Sequence, residues 1–170
     1  MMPASTLTAG IAIGAGAAIL ALGCVPAAAA DPGWGINGTF LTSSNGEFAQ
    51  VNQRRDVQPS TRSTWTISTD CVSPIDCVGT VTSDAGWTAP IYTTNGLWYV
   101  KRQVPGWRYC ADGVPVEGLQ TYKFYPVGAD GHVDGLASEY TGYDKTVGPS
   151  GSCGRNQWPT IEMPFYMKPA

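Results

Sequence analysis

Among side chains that could carry chemistry, carboxylates are the most numerous, with nine Asp and four Glu in 170 residues. Two carboxyl groups facing each other across a cleft can hydrolyse a glycosidic bond, one protonating the leaving oxygen while the other attacks or activates water. Glu162, on an alternating segment flanked by apolar residues, is the first candidate, with Glu139 or Asp144 as its partner. No spacing selects a pair, and a solvent-facing carboxylate on a strand is the plainer reading of each. A serine triad has less support: His132 is the lone histidine, no G-x-S-x-G elbow occurs, and Gly148-Pro149-Ser150-Gly151-Ser152-Cys153 lacks that framework. Asp130-Gly131-His132-Val133-Asp134-Gly135 lacks the ligand spacing and distal Glu of a calcium loop. Asp130-Gly131 instead predicts a type I′ hairpin turn with His132 on its solvent side. The cysteines offer no C-x₂₋₄-C pair for zinc. The sequence therefore nominates no catalytic residue, no metal and no cofactor.

Aromatic residues are the more suggestive set, with six Trp and eight Tyr in a chain only 14% charged. Their faces stack on sugar rings or nest acyl chains. Trp87, Trp98, Tyr99 and Trp107 lie close together in sequence, but alternation assigns Trp98, like Trp65, to the core. Trp87, Tyr92 and Trp107 are left as candidate ligand-binding platforms. Arg54-Arg55 and Lys101-Arg102 read as solvated basic pairs. With ten Lys+Arg against 13 Asp+Glu, the net charge of -3 offers no cationic footprint for nucleic acid.

The elements that must position these groups are strands. Sustained 3.6-residue periodicity is absent, whereas Thr61–Thr69 puts Ser63, Trp65 and Ile67 on one face and Arg62, Thr64 and Thr66 on the other. Cys77–Ser83 is its expected hairpin partner. Further strands are predicted over Gly38–Thr42, Phe48–Asn52, Ala89–Thr93, Leu97–Arg102 after the Asn95-Gly96 turn, and Thr121–Val127. Near the end of the chain Ile161, Met163, Phe165 and Met167 alternate with Glu162, Pro164, Tyr166 and Lys168. Pro164 cannot donate to a ladder, so this strand is expected at an edge or at a bulge where a barrel closes. Glu47–Asp56 reads as strand or as short helix. The chain is thus expected to be all-β, an antiparallel meander of about eight strands closing into a small barrel, with a β-sandwich as the alternative.

Residues 1–30 contain no Asp, Glu, Lys, Arg or His and end in Ala27-Ala28-Ala29-Ala30, the pattern of an export signal cleaved before Asp31. Ala21-Leu22-Gly23-Cys24 resembles a lipobox, but the residue three before the cysteine is Ala rather than Leu. An uncleaved membrane anchor over residues 9–30 is a further alternative. Beyond the leader one domain, 31–170, carries Cys71, Cys77, Cys110 and Cys153, an even set in keeping with two disulfides in an oxidising compartment. Four cysteines allow three pairings. The Ser73-Pro74 turn favours Cys71–Cys77, leaving Cys110–Cys153, and loop-closure entropy assigns them about 2 and 4 kcal/mol.

Asp31-Pro32-Gly33-Trp34, Gly38-Thr39-Phe40, Arg62-Ser63-Thr64-Trp65, Asp76-Cys77-Val78-Gly79-Thr80, Gly96-Leu97-Trp98 and Ile161-Glu162-Met163-Pro164-Phe165 carry a resemblance. Across nearly the whole of 31–170 the chain resembles a family of small secreted or lipid-anchored mycobacterial and related actinobacterial proteins. The Gly-Thr-Phe opening and the Trp65 to Val78 segment also resemble the extracytoplasmic module of some actinobacterial membrane Ser/Thr protein kinases. Neither family supplies catalytic residues. The resemblance implies an envelope-facing, disulfide-bonded module.

The expectation is an exported, monomeric, non-catalytic domain that binds a cell-wall glycan, a lipid or an extracytoplasmic protein. A carrier enclosing a lipid within the barrel and an envelope hydrolase using two carboxylates are the alternatives.

Overall fold

The computed structural model describes residues 33–170. The export signal, its cleavage site and Cys24 lie outside the described residues. Ten strands form one antiparallel sheet: β1 (Gly38–Ser44), β2 (Gln50–Val51), β3 (Arg54–Arg55), β4 (Thr61–Ser73), β5 (Asp76–Ser83), β6 (Trp87–Thr94), β7 (Leu97–Tyr109), β8 (Pro115–Pro126), β9 (Tyr140–Val147) and β10 (Thr160–Pro169). Strands β4 to β10 follow one another in space as in sequence, β1 lies beside β4, and pairing of β1 with β10 closes an eight-stranded barrel. The predicted barrel is therefore present, and the sandwich is excluded. Closure leaves the barrel no free edge.

Eight barrel strands were expected, but one of the eight is a different segment. Phe48–Asn52 contributes only β2, which with β3 forms a short hairpin hung on β10, turning at Asn52 and Gln53 with φ 48° and 66°. A 3-10 turn, Gly46–Phe48, precedes it and is capped by Asn45 Oδ1, which accepts from the Glu47 amide at 3.0 Å. The true member is β9. Its inward residues are Tyr140, Gly142, Asp144 and Thr146, while Tyr143 faces out, so its polarity runs against the usual alternation. The Asp130-Gly131 turn also differs from expectation. Only Gly131 has positive φ, and its amide donates to the Gly128 carbonyl at 2.9 Å. Gly131 thus follows the turn as a left-handed residue instead of occupying the second centre of a type I′ pair. His132 is exposed there.

Asn95-Gly96 joins β6 to β7 with φ 52° and 74°, the type I′ geometry its residues predict. Strand residues without a side chain let the sheet curl. A Cβ at Gly142 would sit 2.0 Å from the Lys123 carbonyl oxygen, and one at Gly79 would sit 2.1 Å from that of Ser68. Pro164 lies where the second neighbour of β10 changes from β1, paired with residues 165–169, to β2, paired with 161 and 162. Its carbonyl accepts from Asn45 on that side, and a residue's N–H and C=O point to the same neighbouring strand, so the bond Pro164 cannot donate falls just past the end of β1 and the ladder with β9 is spared.

The lumen is filled. Trp65, Val81, Ile91, Val100, Phe124, Phe165 and Met167 are all at most 2% exposed. The Trp65 ring stacks on Phe165 at 5.3 Å and meets Tyr122 edge-on at 4.8 Å, and Phe124 contacts Phe165 at 5.4 Å. Both disulfides form. Cys71 and Cys77 are register partners at the β4–β5 turn, and Cys110–Cys153 ties the β7–β8 turn to the loop before β10. At the seam the amide of Ala170 donates to the Thr39 carbonyl at 3.0 Å, so the start of β1 and the end of β10 lie side by side.

Candidate functional site

The candidate carboxylates Glu162 and Asp144 are kept apart by strand parity. Asp144 points into the barrel, 1% exposed, whereas the neighbouring Lys145 points outward and pairs with Glu162 at 3.0 Å. Glu162 and Asp144 thus occupy opposite faces of the sheet and share no cleft. Glu139 lies in the β8–β9 loop and accepts a hydrogen bond from the Tyr166 hydroxyl. That contact raises the Tyr166 pKa, with burial adding a smaller push.

Asp144 anchors a polar chain inside the barrel. Its Oδ2 accepts from Ser44 Oγ and its Oδ1 from Gln120 Nε2, both at 2.8 Å, and Gln120 Oε1 accepts from Arg102 Nε at 2.8 Å. Burial raises the Asp144 pKa, and the two hydrogen bonds and the Arg102 charge oppose that rise only in part. The Tyr122 hydroxyl faces Arg102 and Gln120, and burial drives its pKa far above the ordinary phenol value, so it stays protonated. Arg102 lies with its guanidinium carbon 4.6 Å from the centroid of Trp87, which itself stacks over Tyr122 at 6.3 Å. Ser44 and Gln120 thus each engage one oxygen of Asp144, and burial to 1% exposure closes the carboxylate to a substrate outside the barrel.

The three nominated aromatics do not form one platform. Trp87 is on the inward face of β6, packed against the core cluster, while Tyr92 is on the outward face of the same strand. Trp107 sits at the bulge of β7 against two glycines: a Cβ at Gly118 would come within 2.9 Å of its ring and one at Gly148 within 3.1 Å. Beyond it, a cleft of about 400 Å³ opens between the loops tied by Cys110–Cys153, with Arg108, Arg155, Tyr109 and Asp112 on its walls.

Tyr92 belongs to a different assembly, which sequence reasoning missed. The register aligns Tyr92, Tyr99, Lys123 and Tyr143 in one row across β6 to β9, and Lys101, Thr121, Lys145 and Glu162 in the adjoining row across β7 to β10. All eight lie on the outer face, and all but Tyr92 border, with Leu119 and Val147, a shallow groove of about 410 Å³. The Tyr92 and Tyr99 rings are stacked, 5.7 Å apart at 14°. Lys101 Nζ rides over both, 6.0 and 5.9 Å from their centroids. Tyr143 is 53% exposed and Leu119 41%. Among the described residues, Lys101 and Lys123 have no carboxylate within ion-pair distance, and Lys145 has only Glu162. The signal available beforehand was the recurrence of Tyr or Lys at outward positions of β7, β8 and β9. Which of them become neighbours depends on hairpin registers.

The chain matches no protein-family model and no curated protein. Among solved structures it is similar to the monomer form of the PknI sensor domain of M. tuberculosis, with a TM-score of 0.54 and 14% identity, over 79% of this chain and 87% of that one. The likeness is one of fold, and it agrees with the partial resemblance of the Gly38-Thr39-Phe40 and Trp65 to Val78 segments. Among the described residues no three His, Cys, Asp or Glu gather to hold a metal ion, and no helix is long and apolar enough to cross a membrane.

Proposed function

We propose that this protein is an exported, non-catalytic binding domain of the cell envelope that engages its ligand on the outside of the barrel, over β6 to β10. The observation that carries this reading is the groove in which register gathers Tyr99, Tyr143, Lys101, Lys123 and Lys145. The filled lumen and the separated carboxylates argue against an internal lipid carrier and a two-carboxylate hydrolase. The disulfides fit an oxidising compartment, and the likeness to a sensor domain fits a role in recognition.

The test is binding of the folded protein to purified envelope of its host. A Tyr99→Ala/Tyr143→Ala variant should lose at least about fivefold in affinity, as expected for truncating two aromatic anchors. A Trp107→Phe variant, altered away from the groove, should bind as the parent does. Equal binding by all three would overturn the reading. Export has its own check: protein recovered outside the cytoplasm should begin at Asp31 and weigh four hydrogens less than its reduced form, given the two disulfides.

A further inference from the structure

The arrangement of cations in the outer groove specifies the chemistry of its occupant. Lys101 and Lys145 both flank Thr121, one on each side, so their backbones are two inter-strand steps apart, about 10 Å. Their ammonium groups are drawn further apart, Lys101 toward the Tyr92–Tyr99 stack on β6 and β7, and Lys145 toward Glu162 on β10. Lys123 lies in the next row, between Tyr99 and Tyr143. Three cations held apart do not converge on one phosphate. They match negative charges spaced along an extended ligand.

Tyr99 and Tyr143 flank Lys123 in the lining of the groove, and aromatic rings so placed suit the apolar faces of sugar rings. The row from Tyr92 to Tyr143 spans three inter-strand steps, about 14 Å, the reach of a short oligosaccharide. A bilayer fits this face poorly, because the groove is concave and the half-exposed Leu119 lies in its lining instead of projecting from it. The protein as a whole carries a net charge of -3, so this cationic face stands out against the remainder. From these features we infer that the groove binds an acidic glycan, its rings against the tyrosines and its anionic groups on Lys101, Lys123 and Lys145. The inference rests on the outer-face reading above and narrows it to a ligand class.

The experiment follows backbone amide NMR shifts of the domain on titration with an oligogalacturonate, with a neutral malto-oligosaccharide of equal length, and with phosphatidylglycerol vesicles. Oligogalacturonate should shift residues 97–101, 119–123 and 143–147, and its affinity should fall as salt is raised. Lys101→Gln/Lys123→Gln should weaken it about tenfold, the loss expected for two charge-assisted contacts, while Lys101→Arg/Lys123→Arg should restore most of it. Equal binding of the neutral sugar, response to vesicles alone, or no response to oligogalacturonate would overturn the inference. If host envelope extract shifts this face while oligogalacturonate does not, the acidic glycan is wrong and the outer-face reading stands. If extract shifts only other residues, or none, both fail.

Discussion

Asp144 is a carboxylate buried inside the barrel with one hydrogen bond from the protein to each oxygen, and this makes it a structural residue whose charge opposes the fold. Its pKa is raised on burial, so between the ordinary carboxylate range and the raised folded value the native state holds a proton the unfolded chain has released. Its contribution to stability is therefore full below the unfolded pKa and is lost as pH rises through the folded one. Asp144→Asn removes that loss. Asn Oδ1 can accept from Gln120 Nε2, and its amide can donate to Ser44 Oγ, which has lone pairs to spare. Urea midpoints measured across pH should accordingly show the parent falling relative to Asp144→Asn as pH rises. Asp144→Ala should cost about 1–3 kcal/mol throughout, because it leaves Gln120 and Ser44 without their acceptor. Gly142 poses a different constraint: a methyl group there would meet backbone, not a movable side chain. Gly142→Ala is expected to destabilise by about 3 kcal/mol, readable in the same denaturation curves.

Strands were legible where one face is apolar. Trp65 and Ile67 on β4, Phe165 and Met167 on β10, and the Asn95-Gly96 turn all declare themselves by residue type. Strand β9 did not, since burial of Asp144 and Thr146 beside an outward Tyr143 inverts the pattern that alternation relies on. Nor could the groove be read, because alternation fixes which face a residue takes but not its neighbour on the next strand. Tyr99, Lys123 and Tyr143 meet through two hairpin registers, one of which follows a bulge between Val104 and Arg108. The disulfides act at this level too. Cys71–Cys77 reinforces two strands already paired by a tight turn, whereas Cys110–Cys153 spans 43 residues and joins two loops. Replacing the second pair by serine should cost about 4 kcal/mol and the first about 2, measured as separate losses in thermal or urea stability.

The closed barrel devotes its interior to side-chain packing and leaves recognition to the exterior. Rigid strands hold the lysines and tyrosines of the groove, so a ligand there would meet a surface ordered in advance. The domain bound to oligogalacturonate should therefore show backbone shifts confined to β6–β10, with no rearrangement of the Trp65 core. The closing seam carries a mechanical consequence. Because β1 and β10 run antiparallel and finish together where Thr39 meets Ala170, traction applied between residues before β1 and after Pro169 would load their hydrogen bonds one rung at a time. Such a joint unzips under modest force, starting at Phe40 and Pro169, whereas the Cys110–Cys153 clasp lies outside that line of pull.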